Sequence, residues 1–298
     1  MHYKSVDEQY NNLILKIHNE GLWDRGEDVR TVWADGTPAY SKSIIGQQMR
    51  FDNSFVPILT SKEVKWKSAI LEILWIWQMK SNNINHLNSG VWNQWADSDG
   101  SIGKGYGFQL SKNNREYSKH KLNWDMLNRD KNDFDNHDFH VVLDQVDYLI
   151  QELINNPSSR RHVVTLWNPD DLDEMALPPC VYESQWYVRD NKLTLEVRSR
   201  SNDMGLGNVF NVFQYNVLQR MIAQVTGYEL GEFIYNIGDC HYYDRHEESL
   251  LEQIKRPSYD PPKIWINPEI KNFYDFTIDD IKLINYQHGD FIRMEVAI

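Results

Sequence analysis

The stretch Leu177–Val197, LPPCVYESQWYVRDNKLTLEV, decides how this chain is expected to fold. Two prolines interrupt whatever precedes Cys180, because each fixes φ and removes a backbone donor. Beyond them, Gln185–Val188 and Leu193–Val197 alternate apolar and polar residues on either side of Asp190-Asn191. Asp and Asn tolerate the backbone of a tight turn, so the two runs read as a β-hairpin. His162–Trp167 and Glu232–Ile237 are further strand candidates.

Helical signals flank these strands. Glu63–Lys80 spaces Trp66, Ile70, Ile73, Leu74 and Trp77 at helical intervals and ends near the polar Ser81-Asn82-Asn83. Asn211–Val225 does the same with Val212, Tyr215, Leu218, Met221, Ile222 and Val225, and Gly227 closes it. The expected class is α+β, a single domain over 1–298 with a sizeable sheet. Ser111–His140 is rich in Asn, Asp, Lys and His without clear periodicity, and reads as a polar surface insertion or mobile loop.

The composition, 41% hydrophobic and 25% charged over 298 residues, suits a folded protein with a large core. The longest apolar run, around Ala69–Trp77, is broken by Glu72 and falls short of the roughly 20 residues of a membrane span. No apolar signal segment follows Met1, so a cytoplasmic, membrane-free protein is expected. A net charge of −12 argues against a nucleic-acid partner, and any anionic substrate needs a local arginine cluster.

Cys180 admits three readings: core residue, disulfide half or nucleophile. A bond to Cys240, the only other cysteine, would be unusual in a cytosolic chain. A buried structural role is the commonest for cysteine. A nucleophile needs nearby positive charge, because an unperturbed thiol near pKa 8.5 is only a few per cent thiolate at neutral pH. Arg200, just past the second hairpin strand, can be brought beside Cys180 by a sheet, and Arg160 and Arg161 add to the candidates. Arg198–Asn211, with two glycines before a helix, can offer backbone N–H groups to an anion, although loops of this composition are common. Gly238–His246 lacks the paired spacing of a structural zinc site, so no metal is assigned. His241 and Tyr243, two apart on a strand end, would point to one side and can grip a sugar hydroxyl.

Taken together, these motifs resemble the thymidylate synthase family, which methylates dUMP using methylenetetrahydrofolate. The matching segments are DVRT with Arg30, QQMRFD, LEILWIW with Glu72, VWNQWAD, GKGYG with Tyr106, SSRRHVVTLWNP, MALPPC, RSNDMGLGNVFN, GDCHYYDRH and the closing YQHGDFIRMEVAI. They follow family order along nearly the whole chain and look most similar to the bacillus and bacillus-phage branch. The resemblance implies a large mixed β-sheet packed by helices, with a sheet face forming a homodimer interface.

It also implies roles. Cys180 would add to C6 of the uracil ring, activating C5 toward the methylene unit of 5,10-methylenetetrahydrofolate. Arg30, Arg200 and Ser201 would hold the dUMP phosphate with Arg160 and Arg161 donated by the other subunit. Asn211 would read N3 and O4 of uracil, and His241 with Tyr243 the ribose. Asp203 and Gly207 would meet the pterin, and Trp92 and Trp95 would wall the folate side. Glu72 would relay protons through ordered water, Tyr106 would assist loss of the C5 proton, and the tail ending in Ile298 would close as a lid. Val181, Asn93 and Val209 depart from the common pattern without removing a central chemical group. Two rival readings are a dUMP 5-hydroxymethylase, in which water replaces hydride at the last step, and a non-catalytic nucleotide- or RNA-binding relative.

Overall fold

The computed structural model describes residues 5–128 and 139–298. In chain order the principal elements are α1 (Val6–Glu20), β1 (Leu22–Trp23), β2 (Ser41–Phe51), α2 (Trp66–Trp77), α3 (Gly107–Ser111), β3 (Arg115–Ser118), β4 (His140–Leu143), α4 (Gln145–Asn155) and β5 (Val163–Thr165). They continue as β6 (Val181–Arg189), β7 (Lys192–Asp203), α5 (Gly207–Thr226), β8 (Glu229–Tyr243), α6 (Glu247–Gln253), β9 (Lys263–Ile266) and β10 (Ile281–Ile284). A mixed sheet of order β1-β2-β8-β7-β6-β5 forms the centre, so the α+β class holds.

The hairpin forms where the sequence places it. Asp190 and Asn191 both take positive φ, 48° and 60°, the geometry of the two-residue turn that matches strand twist. β6 pairs antiparallel with β7, and a register shift between Val181 and Glu183 bulges the strand immediately after Cys180. Bulges of this kind re-aim side chains and recur beside functional sites.

β7 and β8 run parallel, which requires a crossover, and α5 supplies it. Their C-terminal ends therefore share one edge, with Asp203 opposite His241 and Ser201 opposite Asp239. α5 is buried along most of its length and is closed by Gly227 in the left-handed conformation, φ 78°. It packs on α2, whose Ala69, Ile70, Ile73, Trp75 and Trp77 are buried. Burying each isoleucine among these contributes about 1.5–3 kcal/mol, which fixes where α2 lies and with it Glu72.

Among the described residues, no helix is packed over the face of the sheet that carries Arg198 and Gln47. That face carries a polar lattice in which Arg198 pairs with Glu183 and Glu196, Asn236 donates to Glu196, and Gln48 donates to Asn236. An open groove of about 810 Å³ runs over Gln47, Trp167, Tyr182 and Arg198, and Ile45 stands 71% exposed.

Within the segment read as a loop, the described residues include a strand, β3, and the start of β4. β3 and β4 pair antiparallel, and Tyr117, Leu127, Val141 and Leu143 form a small apolar cluster of their own. Residues 129–138 of that segment lie outside the described residues. Among the described residues, no helix is long and apolar enough to cross a membrane.

Candidate active site

The site begins at the Pro178-Pro179-Cys180 turn. The carbonyl of Cys180 accepts the Arg200 N–H at 2.8 Å, the contact that opens the β6–β7 ladder. The Arg200 guanidinium then donates to the carbonyls of Pro179 (3.0 Å) and Pro178 (2.8 Å). One side chain both locks the turn and sets a cation near the thiol. Burial pushes the Cys180 thiol up, against the lowering pull of Arg200, the Tyr106 hydroxyl and Arg30. Of the cations expected near a nucleophile Arg200 is present, joined by Arg30, but in the free chain they do not overcome desolvation.

Tyr106 approaches from the other side, its hydroxyl oxygen accepting the Cys180 N–H at 3.2 Å. Its φ is 47°. A residue with a side chain held there costs of order 1–3 kcal/mol, which its surroundings must impose. Gly107 permits this: a Cβ at that position would lie 2.2 Å from the Ser81 carbonyl oxygen, so only glycine lets α3 start hard against that backbone.

The Tyr106 ring meets Trp92 edge-on at 4.8 Å, and the Trp92 indole N–H donates to Glu72 at 2.7 Å. The second Glu72 oxygen accepts a short hydrogen bond from Gln214, whose amide also donates to the Ala69 carbonyl at 3.0 Å. Burial pushes the Glu72 carboxyl up, partly offset by these two donors. A buried carboxyl raised in this way, with a donor on each oxygen, is suited to exchanging a proton.

Asn211 faces the same space from α5. Its oxygen accepts from Asn202 and its amide donates to Gln214, each at 3.3 Å. Asn202 is anchored by Asn208 at 2.7 Å and Tyr235 at 3.2 Å. The buried Asn202, Asn208 and Gln214 were missed by sequence reasoning. The only signal is polar residues on a helix face and a strand that are otherwise core.

At the C-terminal edge of the sheet, His241 is held by Asp239 at 2.7 Å and meets Tyr243 edge-on at 5.2 Å, so the two share a side as the strand period requires. Asp203 accepts the N–H groups of Gly205 (2.8 Å) and Leu206 (3.3 Å). Burial would raise its carboxyl, but His246, His241 and the Gly205 N–H hold it below the ordinary carboxylate range. Lys62, buried, donates to the Gly205 carbonyl at 3.0 Å, and burial lowers it to about 8. It is a further site cation that the sequence reading passed over.

Gly207 differs from its neighbour. A Cβ there would meet protein atoms only at ordinary contact distances, 3.7 Å or more, whereas one at Gly205 would collide with His246 at 2.6 Å. The chain's own packing thus does not require a glycine at 207. Trp92 is buried, and Trp95 meets it edge-on at 5.5 Å from a more open position. Asn93 is exposed, whereas Val181 and Val209 are buried in the core.

Arg30 is exposed, yet its charge reaches both Cys180 and Tyr243. Arg160 and Arg161 are not gathered into this cluster. They are exposed just before β5, the strand at the far edge of the sheet. Ile298 pairs with Val32, two residues from Arg30, through hydrogen bonds of 2.9 and 2.8 Å.

Known proteins resemble this chain along nearly its whole length. The thymidylate synthase family model matches residues 8–298. The chain is 61% identical to thymidylate synthase of Bacillus mojavensis and 60% identical to that of Bacillus phage phi3T, covering 98% of this chain and 99% of each relative. Among solved structures, thermostable thymidylate synthase A from Bacillus subtilis is 60% identical, covers 99% of this chain and superposes with a TM-score of 0.88. Matched along nearly its full length by the family model and by these relatives, the chain belongs to the thymidylate synthase family.

Proposed function

We propose that this chain catalyses the reductive methylation of dUMP to dTMP by 5,10-methylenetetrahydrofolate, giving dihydrofolate, through a covalent bond from Cys180 Sγ to C6 of the uracil. The observation that carries this reading is the continuous run of contacts from Cys180 through Tyr106 and Trp92 to Glu72, which sets a nucleophile and a proton-exchanging acid around one space.

In this reading Arg30, Arg200 and Ser201 bind the phosphate, and bidentate guanidiniums explain how an acidic protein holds a dianion. Asn211 donates to O4 and accepts from N3–H, a pattern cytosine reverses. Its two long 3.3 Å contacts leave it able to exchange partners for a base. His241 and Tyr243 hold the ribose. Glu72 moves protons at O4 and C5, and Tyr106 serves the C5 proton. The folate supplies the one-carbon unit and the hydride. Asp203 and the open approach over Gly207 suit a flat ring there, with Trp95 and the edge of Trp92 at its flank.

The uncovered sheet face with its exposed Ile45 supports a homodimer, in which Arg160 and Arg161 reach the partner's phosphate site. The relatives named above all carry the synthase name, and none supports the hydroxymethylase alternative. Incubation with dUMP and methylenetetrahydrofolate tests the reading. Equimolar dTMP and dihydrofolate are expected, and 5-hydroxymethyl-dUMP with tetrahydrofolate would overturn it.

A further inference from the structure

Exposure along Phe291–Val296 alternates. Ile292, Met294 and Val296 turn inward while Phe291, Arg293 and Glu295 turn out, the period of an extended strand. Met294 lies on the core at the Gly205 turn, and Ile298 pairs with Val32 beside Arg30. The tail therefore bridges the turn that follows Asp203 and the loop that carries Arg30. Its inward side chains are apolar and can slide, so what pins its register is its backbone and Glu295.

Two adjacent residues hold Glu295. His246 Nε2 donates to its carbonyl at 2.7 Å, and Arg245 donates to its carboxylate at 2.9 Å. The other Glu295 oxygen accepts the Ala34 N–H at 3.2 Å. Arg245 is fixed in turn, donating to Asp35 at 2.7 Å and Thr37 at 2.9 Å with its guanidinium 4.9 Å over the Trp33 ring. Arg245 thus fastens the 33–37 loop to the tail.

We infer that Arg245 is a positioning residue for the synthase reaction: held by Asp35 and Trp33, it clasps Glu295 and sets how long the tail stays down over the folate side of the site. This rests on the synthase reading. In the last step hydride leaves tetrahydrofolate, oxidising it to dihydrofolate, and reduces the methylene on C5 to methyl. If water arrives first, hydroxide adds, a proton is released and the folate stays tetrahydrofolate. The residence time of the tail decides that partition.

The test uses Arg245→Gln and Glu295→Gln in the full chain. Without substrates, carboxypeptidase Y should release Ile298 and Ala297 about two- to fivefold faster from either variant, the factor set by a half-exposed ion-pair network, and the double variant should be no faster than the singles. With substrates, the KM for the folate should rise while dUMP affinity is unchanged, and tritium lost from C5 of labelled dUMP should exceed dihydrofolate formed. Unchanged digestion, or faster digestion with loss of tritium and dihydrofolate still equimolar, would overturn the inference. Should the native chain form no dTMP, the synthase reading falls, and the digestion still judges the clasp.

Discussion

In the proposed reaction Cys180 is the nucleophile, and its charge balance can be measured. Because burial raises the thiol and Arg200 opposes it, alkylation by iodoacetamide should rise with pH through a midpoint above the ordinary value of about 8.5. Arg200→Gln removes a lowering influence, so the midpoint should move up and alkylation at pH 8 should slow. A midpoint that falls would refute that account of Arg200. Cys180→Ala should still bind dUMP but form no covalent adduct and no dTMP, which mass spectrometry and product assay can read, and surviving turnover would remove the nucleophile. Of these residue relations, the nearness of Arg200 to Cys180 was legible from a hairpin register. Gln214 against Glu72 was not, because two helices far apart in sequence meet only after packing.

The α2 and α5 helices and the β6–β7 hairpin were legible because local periodicity and turn chemistry agree with burial. Asp190-Asn191 carries its own φ preference, and Gly227 its own cap. α3 was not legible, being short and started by a strained Tyr106 against Ser81. Gly107→Ala should therefore act on this element. The added methyl must displace the Ser81 backbone, costing about 1–3 kcal/mol in a thermal melt. Because Tyr106 moves with it, kcat should fall by more than binding of dUMP weakens. A variant with unchanged melting temperature would show that the contact relaxes freely.

For the whole molecule, the test is whether one chain suffices. Arg160 and Arg161 lie away from the Cys180 cluster, on the far strand edge, so an inactive Cys180→Ala protein mixed with an inactive Arg161→Glu protein should regain activity as subunits exchange. Random pairing gives one complete site in half the dimers, about a quarter of the native rate. No recovery under conditions where exchange is demonstrated would place Arg161 in its own chain's site.

The amino-acid sequence by itself determined the α+β class, the hairpin, both long helices and the family, since these rest on local periodicity and on ordered motifs. The tertiary structure alone decided which atoms share a hydrogen bond: the Asn202–Asn211–Gln214–Glu72 network, the indole of Trp92 turned onto Glu72, and Arg245 fastening Glu295. Each joins segments distant along the chain. Burial of apolar helix and sheet faces brings such partners within reach, and the period of one segment carries no record of what the others present to it.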